Sequence, residues 1–249
     1  MIRNDPVAKV QRKLAPLLSR RMVSLRHPRP MISFTFDDAP YSACSRGRRL
    51  MEQYGVRGTF YVCGQLTDRM EPQRMHTLEQ LRALLAAGHE LGCHGFEHVD
   101  YQSLDGGQIQ DDITRNRQFL MQLGVDTADL NFAYPFGCTS PGVKRLVAKR
   151  YTSARGIADG LNVGQVDLSL LRATRLYSGR LSDAQVTELI EENVRRCGWL
   201  IFFTHGVDDE PDAFGCTPDL LEHALHMSVQ SGAQVLTVRE ALQQALEQP

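Results

Sequence analysis

An α/β fold of parallel strands joined by crossover helices is what this chain predicts, and three observations carry the prediction. From Met31 onward, short β-branched or aromatic runs alternate with longer segments of helical periodicity, the pattern of βαβ units. Every cluster of chemically active residues falls just after a predicted strand, where parallel barrels collect their active sites. At 249 residues and 42% apolar, the chain can bury a large core as one unit, at a length where α/β barrels are common.

The predicted strands are Met31 to Phe36, Gly58 to Cys63, Glu90 to His94, Asn131 to Tyr134, Thr152 to Arg155, Leu171 to Leu176, Leu200 to Thr204 and Gln234 to Val238. Helices are predicted near Cys44 to Tyr54, Leu78 to Ala87, Gly107 to Leu123, Pro141 to Lys149, Asp183 to Cys197, Pro218 to Gln230 and Arg239 to Leu246. Ser182 and Thr217 stand as N-caps before helix-initiating residues. No internal repeat or interdomain linker interrupts this order, so residues 31–249 read as a single catalytic domain.

Residues 1–30 are different in kind. They hold eight basic residues (Arg3, Lys9, Arg12, Lys13, Arg20, Arg21, Arg26, Arg29) against Asp5 alone, whereas the remainder has 20 basic and 28 acidic residues, by subtraction from totals of 28 and 29. An acidic body argues against nucleic acid as a partner, while a basic arm suits phosphate or an anionic membrane face. Val7, Val10, Leu14, Leu17 and Leu18 recur at helical spacing, so the arm is expected to form an amphipathic helix. Its apolar stripe would either meet a membrane or pack on the domain. No apolar stretch is long enough to span a bilayer or to follow the N-terminal charges as a secretory signal, so a cytoplasmic protein is expected. Six scattered cysteines without a C-x-x-C pair read as small buried side chains.

Four motifs carry the chemistry. Thr35-Phe36-Asp37-Asp38 ends an apolar strand in two carboxylates pointing to opposite sides; alone, such a pair is equally a turn or a cap. His94-Gly95-Phe96-Glu97-His98 supplies two imidazoles that converge from a helix or a glycine turn and, with an upstream Asp, form a His-His-Asp set suited to zinc or a similar divalent ion. Glu97 between them has no assigned role and is expected to face solvent. Ala133-Tyr134-Pro135-Phe136-Gly137 fixes a turn through its proline and opens the backbone at its glycine. Leu200 to Thr204, followed by His205, reads as a buried strand ending in a group that titrates near neutrality. His27, His76, His89, His223 and His226 lack such company and are read as structural.

In order, spacing and strand-end placement these motifs resemble the polysaccharide deacetylases, the carbohydrate esterase group that includes chitin and peptidoglycan N-deacetylases. The resemblance spans Met31 to Leu246. It implies an irregular (β/α) barrel of about seven strands, one divalent metal ion (zinc first, cobalt or nickel as alternatives) held by Asp38, His94 and His98, Asp37 as general base, His205 as general acid and the backbone amide of Phe136 as oxyanion donor. Many relatives place an arginine two residues before the proline of the third motif to orient the catalytic aspartate; here that position is Ala133, and Arg155 or Arg172 is expected to replace it. Their acidic fourth region is not recognisable, with Asp159 and Asp167 as candidates. The implied activity is removal of the N-acetyl group, as acetate, from an N-acetylated sugar, with a nucleotide- or lipid-linked saccharide precursor as the expected substrate. The alternatives are an amidohydrolase acting on a small non-sugar amide or cyclic ureide, or a glycan-binding relative without catalysis.

Overall fold

A computed structural model describes residues 2–70 and 74–246. A twisted parallel sheet curls around a buried interior, with helices on its outer face. The strands are β2 (Met31–Asp37), β3 (Thr59–Val62), β4 (Glu90–Cys93), β5 (Phe132–Ala133), β6 (Ala154–Arg155), β8 (Thr174–Arg175) and β9 (Trp199–Thr204), in the spatial order β6-β5-β4-β3-β2-β9-β8. β2 pairs with β9 from Met31↔Trp199 to Phe36↔Thr204. It meets β3 only near its top, and at its base it pairs with β10 (Gln234–Val235). A parallel bridge from Arg155 to Leu171 carries the curl toward closure.

All seven residues of β2 are buried, so the strand has no solvent face, and its period-two alternation divides it between two environments. Ile32, Phe34 and Phe36 join the core beneath the helices, where Phe36 stacks on Phe60 at 4.6 Å and Phe34 on Phe202 at 5.5 Å. Met31 packs with Trp199, Ile201 and Phe203 in a second core. Ser33, which accepts the Trp199 indole N–H (3.0 Å), Thr35 and Asp37 are the polar residues of that alternate register.

The helices α2 (Arg48–Gln53, entered through a π-turn at Ala43–Gly47), α3 (Leu78–Ala86), α4 (Gly106–Gln122), α5 (Pro141–Ala148), α6 (Asp183–Arg195), α7 (Pro218–Gln230) and α8 (Val238–Leu246) fall where the periodicity placed them. Their starts have chemical causes. Thr77/Gln80, Asp105/Gln108 and Ser182/Gln185 form reciprocal capping boxes, and Ser140 and Thr217 cap helices that begin with proline. Five cysteines are buried and Cys197 is exposed, all six free.

The arm is a helix followed by a short strand. α1 (Pro6–Leu14), capped by Asp5, docks on the body through Ala8 and Ala15, which are buried, while Val7, Val10, Leu14, Leu17 and Leu18 face solvent. The apolar stripe is therefore not the docking face. After the helix the chain forms β1 (Met22–Ser24), antiparallel to β7 (Gln165–Asp167), a ribbon the sequence reading did not anticipate because three residues carry too little periodicity. Buried Lys144 on α5 holds the arm in place: its ammonium donates to the carbonyls of Ala15 (2.7 Å) and Leu18 (3.0 Å) and pairs with Asp167 (2.5 Å). Asp167 is thus a structural anchor and not part of an active-site acidic region.

Candidate active site

The four motifs meet at the C-terminal ends of β2, β4, β5 and β9. At the end of β2 the chain leaves extended geometry abruptly: Asp38 and Ala39 have φ of 59° and 48°, conformations that L-residues occupy at an energetic penalty. This reversal brings the Asp38 carboxylate to the two imidazoles. Its Oδ1 lies 3.2 Å from His98 Nε2 and 3.7 Å from His94 Nε2, and ligand atoms of the three residues lie within 4.8 Å of one another.

Zinc bonds to nitrogen and oxygen of about 2.0–2.2 Å place neighbouring ligands roughly 3–3.5 Å apart, so this spacing fits a small divalent cation. The protonation of the set fits too. Burial pushes His94 down to about 3 and His98 down to about 4, leaving neutral imidazoles. His94 Nδ1 donates to the Ala133 carbonyl (2.8 Å), which leaves Nε2 as the ligating nitrogen. Burial and the neighbouring Asp37 charge push Asp38 up to about 6. Two neutral nitrogens beside a carboxylate of raised proton affinity are a donor set that a late first-row cation satisfies.

Asp37 has the opposite fate. Burial would raise its pKa, but the Arg155 guanidinium, then His94 and His205, outweigh that penalty and hold it below the usual carboxylate range. Arg155 is itself buried. It donates to Asp37 Oδ1 and lies over the rings of Tyr61 (4.6 Å) and Phe203 (4.9 Å). In the sheet it stands in register beside Ala133, one strand over, so the cation missing at Ala133 arrives from the adjacent position. Arg172 is not the substitute, since it donates to the Asp159 carbonyl (2.9 Å), and the Asp159 carboxylate is engaged by Arg175 (2.7 Å) and Arg180 (2.9 Å).

His205 follows β9. Phe214 turns its carbonyl back onto it, accepting from the His205 backbone N–H (3.1 Å) and lying 3.2 Å from Nδ1, an arrangement that directs Nε2 away from the loop. Phe136 occupies a left-handed conformation (φ 57°) after Pro135, and its ring sits 4.5 Å from that of His98. Phe136 and Phe214 are both exposed, so aromatic faces flank the site.

Sequence reasoning missed the groups that hold the histidine loop. Buried Asp112 on α4 accepts from the backbone N–H of Phe96 (2.8 Å) and Glu97 (2.9 Å) and from the Tyr101 hydroxyl (2.6 Å). Gly95 is required there: its φ is +75°, and a Cβ would approach the Asp112 carboxylate to 2.8 Å. Nothing in the sequence separates Asp112 from its neighbour Asp111, and only the fold distinguishes the buried member. Glu97 pairs with Arg115 on the surface.

A family model described as polysaccharide deacetylase matches residues 24–153. A probable peptidoglycan-N-acetylglucosamine deacetylase of Arthroderma benhamiae is 25% identical over 121 residues, 47% of this chain and 26% of that protein. The chain covers between 7% and 26% of the lengths of the curated relatives it matches. Among solved structures, the chitin deacetylase of the fungal pathogen Colletotrichum lindemuthianum superposes with a TM-score of 0.64 at 18% identity, covering 90% of this chain and 92% of that one. A family pseudoenzyme from Bacillus anthracis shares the fold as well, with a TM-score of 0.60 at 13% identity over 88% of this chain and 67% of that one. With more than half its length matched and its curled sheet shared, this chain belongs to the polysaccharide deacetylase family.

Proposed function

We propose that the chain is a divalent-metal-dependent hydrolase that removes the acetyl group from an N-acetylated saccharide and releases acetate. The observation that carries this reading is the adjacency of Asp37 and Asp38 in environments that drive their proton affinities apart, the arrangement by which neighbouring carboxylates take different roles. Asp38, His94 and His98 would hold the cation, zinc or a similar late first-row ion. Bound there, the ion supplies Lewis acidity toward the acetamide carbonyl and the attacking water.

The protein's own groups divide the proton transfers. Asp37, kept ionised by Arg155, accepts a proton from water as its oxygen adds to the carbonyl carbon. The Phe136 amide, by its place in the strained turn, stabilises the oxyanion. As the C–N bond breaks, His205, steered by the Phe214 carbonyl, gives its proton to the departing amine. The exposed rings of Phe136 and Phe214 offer stacking surfaces for sugar C–H faces, which favours a saccharide over a small ureide. A glycan-binding module would have no use for a buried, cation-tuned Asp37.

The test is acetate release from a panel of N-acetylated oligosaccharides, nucleotide-linked N-acetyl sugars and small amides, with zinc, cobalt or nickel added to metal-stripped protein. Turnover confined to the sugars and restored by metal supports the proposal. Turnover of small amides alone would replace it with the amidohydrolase reading, and binding of glycans without any acetate release would leave the non-catalytic one.

A further inference from the structure

We propose that α1 seats the protein on an anionic lipid bilayer. The helix has three faces. Ala8 and Ala15 dock on the body; Val7, Val10, Leu14, Leu17 and Leu18, between 38 and 61% exposed, form a continuous apolar stripe through α1 and the turn after it; Lys9 and Lys13 lie exposed on the remaining side. A helix held by its small residues while presenting its large apolar ones outward has the make-up of one that lies in the headgroup region with its cations at the phosphate level.

The surrounding charge favours lipid as the occupant. Arg20 is exposed just beyond the stripe, and a cavity of about 440 Å³ between α1, α4 and α5 is lined by Arg3, Arg145 and Lys149 and, among the described residues, by no carboxylate. The arm's single acid, Asp5, is consumed by the Ala8 amide (3.0 Å) and Arg3 (2.5 Å). A second copy covering the stripe about a two-fold axis would set Lys9 and Lys13 against their own counterparts, whereas anionic headgroups neutralise them.

Docking also orients the protein. The Arg3 backbone amide donates to Asp100 Oδ2 (2.9 Å) and the Arg12 side chain to Gln102 Oε1 (3.2 Å), and both partners closely follow His98. α1 therefore adjoins the segment that follows His98, and a saccharide carried on a lipid tail of the contacted bilayer would present its sugar beside the site. That final clause rests on the proposed deacetylase reading; the membrane contact does not.

Co-sedimentation of the full-length protein with vesicles of phosphatidylcholine, with and without phosphatidylglycerol, tests the contact independently of activity. Binding is expected only with phosphatidylglycerol, at low salt, with release as the Debye length shrinks. Each cation near such a surface contributes about fivefold in partitioning, so K9E/K13E should lower it more than tenfold. V10Q/L17Q should abolish it. Both pairs are exposed, and an unchanged melting temperature in either variant shows that the fold persists. Wild-type protein that ignores phosphatidylglycerol at low salt overturns the proposal, as does a dimer in sedimentation velocity that V10Q/L17Q dissociates.

Discussion

Arg155 and Asp37 meet although β6 and β2 are separated in the sheet by β5, β4 and β3 and the residues by 118 positions of sequence. The pairing exists because the sheet curls: the two strand tops face each other across the interior, and the guanidinium crosses it. Removing one member of such a buried pair leaves the other uncompensated, a loss of about 3–5 kcal/mol. R155A should therefore melt well below the wild type. In any folded fraction Asp37 should titrate upward, because burial then loses its largest opponent and only His94 and His205 act against it. Since the base must be ionised, the acid limb of the activity profile moves to higher pH. A pH-rate profile with an unmoved acid limb would remove Arg155 from control of Asp37.

D37N and H205A should separate chemistry from metal binding. Neither residue belongs to the Asp38, His94 and His98 set. Isothermal titration with zinc should give near wild-type affinity in both, while acetate release falls by about 100- to 10,000-fold. The double variant H94A/H98A should lose the titration signal itself.

Asp112 should matter more than its place in the sequence suggests. It fixes two backbone amides of the loop between the histidines and the Tyr101 hydroxyl. D112A leaves those donors unsatisfied in a buried place, and metal affinity is expected to fall by about 10- to 100-fold, as for other groups that orient ligands. Y101F, which removes one of the three donors, should lie between D112A and wild type in both zinc affinity and melting temperature.

The buried histidines predict an acid-side loss of stability. Burial holds His89 down at about 4, and its Nδ1 accepts the Gly58 N–H (3.1 Å), although Nε2 lies 3.7 Å from Glu52 Oε1. Burial outweighs that distant carboxylate. Between pH 6.5 and about 4 the unfolded chain takes up a proton at this residue and the folded chain does not, so stability falls as pH falls through that window and is fully present above it. H89Q, which titrates in neither state, should give a shallower dependence of melting temperature on pH between 6.5 and 4. An identical slope would show that other groups set the acid limit.

The fold was legible where period and punctuation agree. β2 and β9 read as buried runs ending in Asp37-Asp38 and His205, and the Pro-initiated helices α5 and α7 were placed within a residue of their observed bounds. Both Arg155 and Arg172 fall in predicted strands, and only the curl, which brings β6 across from β2, decides that Arg155 reaches Asp37. Asp112 was hidden because a carboxylate on an amphipathic helix looks solvated until the neighbouring loop folds over it. The direction of α1 was hidden for a related reason: a large apolar stripe ordinarily faces a core, but Lys144 and the two alanines claim the opposite side.

Asp38, His98 and Phe136 each occupy a left-handed backbone conformation, and each lies in the segment that follows a different strand. Such residues carry about 1–3 kcal/mol of conformational penalty apiece, so the rim of the barrel is held against its own preference by the rest of the fold. Glycine or asparagine at these positions would relax the rim. Selection of this chain for heat resistance alone would therefore drift toward robust proteins with a dismantled centre, and any stabilised descendant needs to be screened for turnover at the same time.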